Sequence, residues 1–261
     1  MTLPLLLAAL LFFAGPAAAP PAQQLVREGQ DLYRQGSLGE ALLKFEDAAK
    51  AGAEDGEMFY RMGYCYKALR QDAEKSREFM VKAVPLLEKL VEPPARPGPA
   101  PFYYLSAIYI TDLVEPAKGA EIARRGSAQA DEGRFASFKD GESLFQIARL
   151  YTLAGQQDKA IGWYEQAVDA LQAGPTPNRV YLTSSLDQLA NYFMGKADYA
   201  RAADRLKRLL ELDPGRDQQR LSAGLLMVKV ERYEEALAIL QCFTNDDFDT
   251  EANYVTRIIR R

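Results

Sequence analysis

Six small residues recur along the chain, Gly29, Gly63, Ser106, Ala148, Ala190 and Gly224, at spacings of 34, 43, 42, 42 and 34 residues. Three residues after each comes a large apolar side chain: Leu32, Tyr66, Tyr109, Tyr151, Phe193 and Met227. Sixteen residues after each comes another: Phe45, Phe79, Ile122, Tyr164, Leu206 and Leu240. Twelve residues past the anchor, Ala41, Ala160, Ala202 and Ala236 supply a second small site, while Ser76 and Ala120 sit one or two residues late. Spacings of three and four keep each set on one helical face. Small residues let two antiparallel helices approach, and large ones fill the grooves beside them. The pattern predicts a stack of helix–turn–helix units and leaves little room for any other fold class.

Turns inside the units are marked by Gln35-Gly36-Ser37, Ala154-Gly155-Gln156 and Gly195-Lys196-Ala197-Asp198. Residues 151–167 (Tyr-Thr-Leu-Ala-Gly-Gln-Gln-Asp-Lys-Ala-Ile-Gly-Trp-Tyr-Glu-Gln-Ala), the stretch from Asp198 to the Leu-Glu-Leu-Asp-Pro that ends at Pro214, residues 32–48 and Arg232-Tyr-Glu-Glu-Ala-Leu carry a resemblance to the tetratricopeptide repeat family. The resemblance covers roughly residues 22–250, with Pro214 alone at the family's closing proline site and Leu or Phe in place of its early Trp. It implies an all-α, right-handed α-solenoid of about six units, near 22–55, 56–92, 98–133, 141–174, 183–216 and 217–250, together spanning 23–250. The third unit is degenerate in its second helix. Extra residues collect in connectors, including the proline-rich segment 93–101, which reads as a stiff link. Residues 251–261, with Tyr254, Val255, Ile258 and Ile259 on one stripe and three arginines near the end, are expected to form a C-terminal capping helix.

The head of the chain is uncharged from Met1 to Ala22. An apolar run over 3–13, broken only by Pro4, precedes small residues at 14–19, the shape of a secretory signal peptide cleaved after Ala17 or Ala18. No Lys or Arg precedes the run, and a retained membrane anchor is the competing reading, although the run is short for a span of about 30 Å. The expectation is an exported protein, periplasmic or secreted. On this reading any membrane association is indirect or runs through an uncleaved N-terminal segment.

Composition narrows the chemistry. Histidine is absent, which removes Ser–His–Asp and Cys–His catalysis and every His-containing metal site. A net charge of −4 argues against binding nucleic acid through its phosphates. No Gly-rich phosphate loop and no Gly-x-Ser-x-Gly occurs. The acidic run 245–249 opens like a calcium loop, but Thr250 and Thr256 stand where glycine and the closing glutamate are needed. Acidic pairs such as Asp131-Glu132 and Glu234-Glu235 read as solvent-facing. Cys65 and Cys242, three whole units apart, are expected to be unpaired, buried small apolar residues. No catalytic residue, cofactor or metal is implied.

In this family the first helices line the concave side. Positions three before and one after each anchor are expected to point inward: Val26 and Gln30, Tyr60 and Tyr64, Tyr103 and Ala107, Phe145 and Arg149, Asp187 and Asn191, Leu221 and Leu225. Family members that grip a C-terminal carboxylate use Lys, Asn and Arg in the first units, where this chain has Val26, Tyr60 and Tyr64, so that function is disfavoured. The reading is a non-catalytic scaffold or adaptor that binds a protein or peptide segment in a groove lined by Tyr60, Tyr64, Tyr103, Phe145, Arg149, Asp187 and Asn191. The alternative packing puts the tyrosines between units. Alternative functions are a helical ligand- or glycan-binding domain, a carboxylate-based enzyme, for which Asp187 is the only inward carboxylate this register provides, and a cytoplasmic adaptor of the same fold.

Overall fold

The computed structural model describes residues 21–70, 72–93, 95–174 and 178–240. The apolar head, Cys242, the acidic run 245–249 and the expected capping helix at 251–261 lie outside the described residues. Among the described residues, twelve α-helices pair into six hairpins. The first three are α1 (Pro21–Gln35) with α2 (Leu38–Lys50), α3 (Gly56–Cys65) with α4 (Ala73–Val91), and α5 (Pro99–Ala107) with α6 (Pro116–Asp131). Then come α7 (Gly141–Leu153) with α8 (Gln157–Ala173), α9 (Arg179–Gly195) with α10 (Tyr199–Leu212), and α11 (Asp217–Lys229) with α12 (Tyr233–Leu240). No strand occurs among the described residues, and none of their helices is long and apolar enough to cross a membrane. Asp55, Asp72, Asp140, Asn178 and Asp198 cap α3, α4, α7, α9 and α10 by accepting a backbone N–H three residues on.

Four hairpins follow the expected register. Ala41, Ala160, Ala202 and Ala236, twelve past their anchors, are fully buried, and so are Phe45, Tyr164, Leu206 and Leu240, sixteen past. A Cβ added at Gly29 would lie 2.5 Å from the Phe45 ring, which is why a residue with no side chain stands there. These four hairpins also share one turn. The backbone N–H groups of Ser37, Gln156, Asp198 and Arg232 donate to the carbonyls of Leu32, Tyr151, Phe193 and Met227, five residues back. The residue before each donor (Gly36, Gly155, Ala197, Glu231) has positive φ.

The second and third hairpins depart by one residue. There α3 and α5 run on into π-helical turns, Tyr66–Arg70 and Ile108–Asp112. The carbonyls of Tyr66 and Tyr109 accept from Asp72 and Glu115, six residues on rather than five. The added residue explains the late small positions. Ser76 and Gly119, both thirteen past the anchor, take the close contact, and Met80 and Ala123 follow at seventeen. Gly119 rather than Ala120 is the small residue of the third hairpin; a Cβ there would lie 2.7 Å from the Ser106 carbonyl oxygen. Phe79, displaced from the groove, is half-buried and stacks on Tyr66 at 5.5 Å between ring centres.

Successive hairpins are joined on the outer side by a repeated polar contact. The hydroxyls of Tyr66, Tyr109 and Tyr151, each three past its anchor, donate to Glu46 (2.5 Å), Glu88 (2.7 Å) and Asp131 (2.7 Å) of the preceding second helix. Lys75, Lys118 and Lys159 lie over the same three rings at 5.3, 4.0 and 5.5 Å. Asp131 and Glu234 are exposed as expected, yet Asp131 is engaged by Tyr151 and Lys159, and Glu235 by Arg232 and Lys207.

Candidate interaction site

The first helices curl until the first hairpin meets the fifth. The Tyr33 and Tyr181 rings are edge to face at 6.4 Å, and Gly36 lies against Arg179. Arg34 Nε, on α1, donates to Glu142 on α7 at 2.9 Å. A ring this tight has no open axis. Its interior is filled by the chain's own aromatic side chains, in a run of ring contacts linking Tyr64, Tyr33, Tyr181, Phe145, Tyr103, Tyr60 and Tyr104.

The expected site residues therefore divide. Tyr60 (8% exposed), Tyr103 (7%) and Phe145 (2%) point inward as the register requires, but they are buried against one another. The Tyr60 and Tyr103 hydroxyls are 3.3 Å apart. The open aromatic groove expected of these three is corrected: ring closure turns it into core. Arg149 is half-buried with its guanidinium 5.9 Å from the Tyr103 ring centre. Burial works against its charge, and the facing hydroxyls of Tyr103 and Tyr164 more than offset this and hold its pKa above the arginine range. Tyr64, Asp187 and Asn191 remain accessible, and Asn191 Nδ2 donates to Asp187 at 3.3 Å.

Sequence reasoning missed the polar centre of the ring. Arg61, two residues before its anchor, is 1% exposed and lies over the Tyr33 ring at 5.1 Å. Its Nη2 donates to Glu57 (2.5 Å), Glu142 (3.3 Å) and the Tyr104 hydroxyl (3.4 Å). Tyr104 and Gln146, at the same position of the next two hairpins, are also buried, and Gln146 donates to the Tyr104 hydroxyl at 3.2 Å. Burial lowers the Arg61 pKa, but Tyr104, Tyr181 and the two carboxylates outweigh it and hold the pKa well above the ordinary range. Arg61 stays charged. Glu57 and Glu142 also correct the expectation that Asp187 is the only inward carboxylate. They converge on Arg61, and Arg34 also pairs with Glu142, so two guanidiniums balance the two carboxylates in an ion cluster. A signal for them was present: Asp55-Gly56-Glu57 and Asp140-Gly141-Glu142 repeat the same tripeptide, eight to six residues before Gly63 and Ala148. In each, Asp caps the helix, Gly admits a leucine of the following helix (Leu87 or Leu171), and Glu faces the axis.

Closure leaves open, among other clefts, one of about 440 Å³ at the seam of the first and fifth hairpins. Its lining includes Tyr64, then Thr183, Ser184 and Asp187 of α9, and Arg216 and Gln35. Burial and the neighbouring Tyr103 raise the Tyr64 phenol pKa, so it is a neutral hydroxyl. Arg216 is paired with Asp213 at 2.7 Å. Among the described residues no group of three or more acidic or Cys side chains is placed to hold a metal ion.

The fold defines a class, the all-α solenoid of stacked helical hairpins. Residues 143–176, covering α7 and α8, match the family model "Tetratricopeptide repeat". No curated protein sequence matches the chain. Among solved structures, the APC/C hetero-tetramer Cut9–Hcn1 aligns over 93% of this chain and 43% of its own at 13% identity and TM-score 0.56, so this chain spans less than half of that one. PilW, described as a widely conserved type IV pilus biogenesis factor, aligns over 92% and 100% at 12% identity and TM-score 0.52. PilF of Pseudomonas aeruginosa aligns over 91% and 97% at 8% identity and TM-score 0.50. At these identities the likeness is one of fold.

Proposed function

We propose that this chain is a non-catalytic interaction scaffold acting outside the cytoplasm, and that it holds a peptide segment of a partner in the seam cleft. The observation that carries the reading is the division of the inward face. Its aromatic part is consumed by ring closure, while Tyr64, Asp187 and the Ser184 hydroxyl of α9 stay open. The uncharged head supports export. Partner capture from the native host with the full chain tests the site. Tyr64→Ala combined with Asp187→Ala is expected to abolish capture while helicity and melting temperature change little. Capture that survives both substitutions excludes the cleft. Export is checked by the N-terminus of the mature protein, and an intact Met1 on protein recovered from the host defeats the cleaved-signal reading.

A further inference from the structure

The cleft is polar and carries two charges that no ion pair among the described residues neutralises. Asp187 accepts only from neutral amides, Asn191 at 3.3 Å and Gln219 at 3.4 Å, and makes no ion pair among the described residues. Arg179 gives one N–H to the Leu212 carbonyl at 2.9 Å and likewise has no carboxylate partner among them. A guanidinium has five N–H donors, so four remain. The other cleft arginine, Arg216, is already paired with Asp213. Both unpaired charges stand on α9, eight residues apart, which at 1.5 Å per residue separates their backbone positions by about 12 Å.

The remaining lining offers hydrogen bonds rather than grease. The Gln35 amide and the Ser184 and Tyr64 hydroxyls line the cleft and make no side-chain hydrogen bond among the described residues. A helical ligand satisfies its own backbone and needs an apolar trough. An extended ligand brings unpaired N–H and C=O groups that need partners of this kind. In an extended chain, side chains four residues apart lie on the same side and about 13 Å from each other, matching the separation on α9.

We infer that the cleft recognises an extended polypeptide segment carrying a basic and an acidic side chain four residues apart, the basic one opposite Asp187 and the acidic one opposite Arg179. This rests on the scaffold reading above. The test is selection from a phage-displayed library of random peptides on the purified full chain. Enriched peptides are then synthesised with a fluorophore and titrated against wild type, Asp187→Asn and Arg179→Gln. Enrichment of a Lys or Arg and a Glu or Asp at that spacing, in either order, is expected, with affinity falling about two- to fivefold in each variant at low salt. The loss should be specific: replacing the peptide's basic residue removes the effect of Asp187→Asn and leaves that of Arg179→Gln. Enriched peptides without the pair, pairs at a helical spacing of eight, equal affinity for the variants, or no enrichment each overturn the inference. If native partner capture depends on Tyr64 and Asp187 while selected peptides lack the charge pair, the scaffold reading stands and only this inference falls.

Discussion

Glu142 of the fourth hairpin accepts from Arg61 of the second across 81 residues of chain, and the same carboxylate takes Arg34 of the first and Asn178 before the fifth. One side chain thus ties four hairpins that a linear solenoid would keep apart. Removing it leaves the buried Arg61 guanidinium with Glu57 as its only carboxylate among the described residues. Breaking a buried pair by deleting one partner costs about 3–5 kcal/mol. Glu142→Ala is expected to lower the unfolding free energy by that order and to raise hydrogen exchange in α1. An unfolding free energy within about 1 kcal/mol of wild type would show that the seam does not depend on this cluster.

The aromatic interior makes an opposite claim from an open groove. Tyr60→Ala and Tyr103→Ala each empty a buried ring site, and large-to-small changes of this kind cost about 3–5 kcal/mol. Tyr64→Ala, at the rim, is expected to cost clearly less. Chemical denaturation of the three variants separates the cases. Equal, small losses for all three would return Tyr60 and Tyr103 to the role of groove residues.

Much of this fold is legible in the sequence, because a helical hairpin is a local object. Gly29 with Phe45, or Ala190 with Leu206, sit at offsets fixed by helix geometry and one short turn. The π-helical turns are less legible. They appear only as a delay of one residue at Ser76 and Gly119, which loose spacing would also produce. Ring closure is not local at all. Tyr33 meets Tyr181 and Arg34 meets Glu142 because of small rotations summed over five hairpins. For that reason the register places Tyr60, Tyr103 and Phe145 on the inward face but leaves both an open groove and packing between units compatible with it. The wider face that a tight ring turns inward, with Arg61, Tyr104 and Gln146, lay outside the expected positions.

The shifted register predicts opposite outcomes for two glycines in helices. At Gly119 an added Cβ would lie 2.5 Å from Ile110 Cγ1 and 2.7 Å from a backbone oxygen, so α5 and α6 must separate. Gly119→Ala is expected to destabilise by about 1–3 kcal/mol. At Gly162 nothing lies within 4 Å, and Gly162→Ala is expected to stabilise by about 0.5–1 kcal/mol through helix propensity. Paired thermal melts decide it; a stabilising Gly119→Ala would mean that the close approach of α5 and α6 is not tight.

The outer ladder makes stability fall in acid. The Tyr109 hydroxyl, with Lys118, holds the Glu88 carboxyl below its ordinary 4.5, and Lys159, with Tyr151, holds Asp131 below 3.8. A folded-state pKa below the unfolded value contributes stability that is complete above the unfolded value and lost as pH falls through the folded one. Both carboxylates are largely solvent-exposed, so each is worth about 0.2–1 kcal/mol. Melting temperature is expected to drop between about pH 5 and pH 3, and less steeply in Tyr109→Phe with Tyr151→Phe than in wild type. Identical slopes at low salt would remove the ladder from the pH dependence.

Cys65 provides a direct reading of whether the second hairpin opens. It is fully buried at the end of α3, and burial pushes its thiol up to about 12. At pH 8 only about one molecule in 10⁴ would carry the thiolate, the reacting form. In a Cys242→Ser background, which leaves Cys65 as the single thiol, a disulfide reagent should therefore label completely in guanidinium and very slowly in native buffer. The native rate then reports opening of the α3–α4 packing around Cys65, Met80 and Ala83. Glu142→Ala, by loosening Arg61 four residues earlier on the same helix, should raise that rate, while the exposed-site variant Gly162→Ala should leave it unchanged. Rapid stoichiometric labelling of the native protein would mean that α3 is not packed as described, and the ion cluster built on it would fall with it.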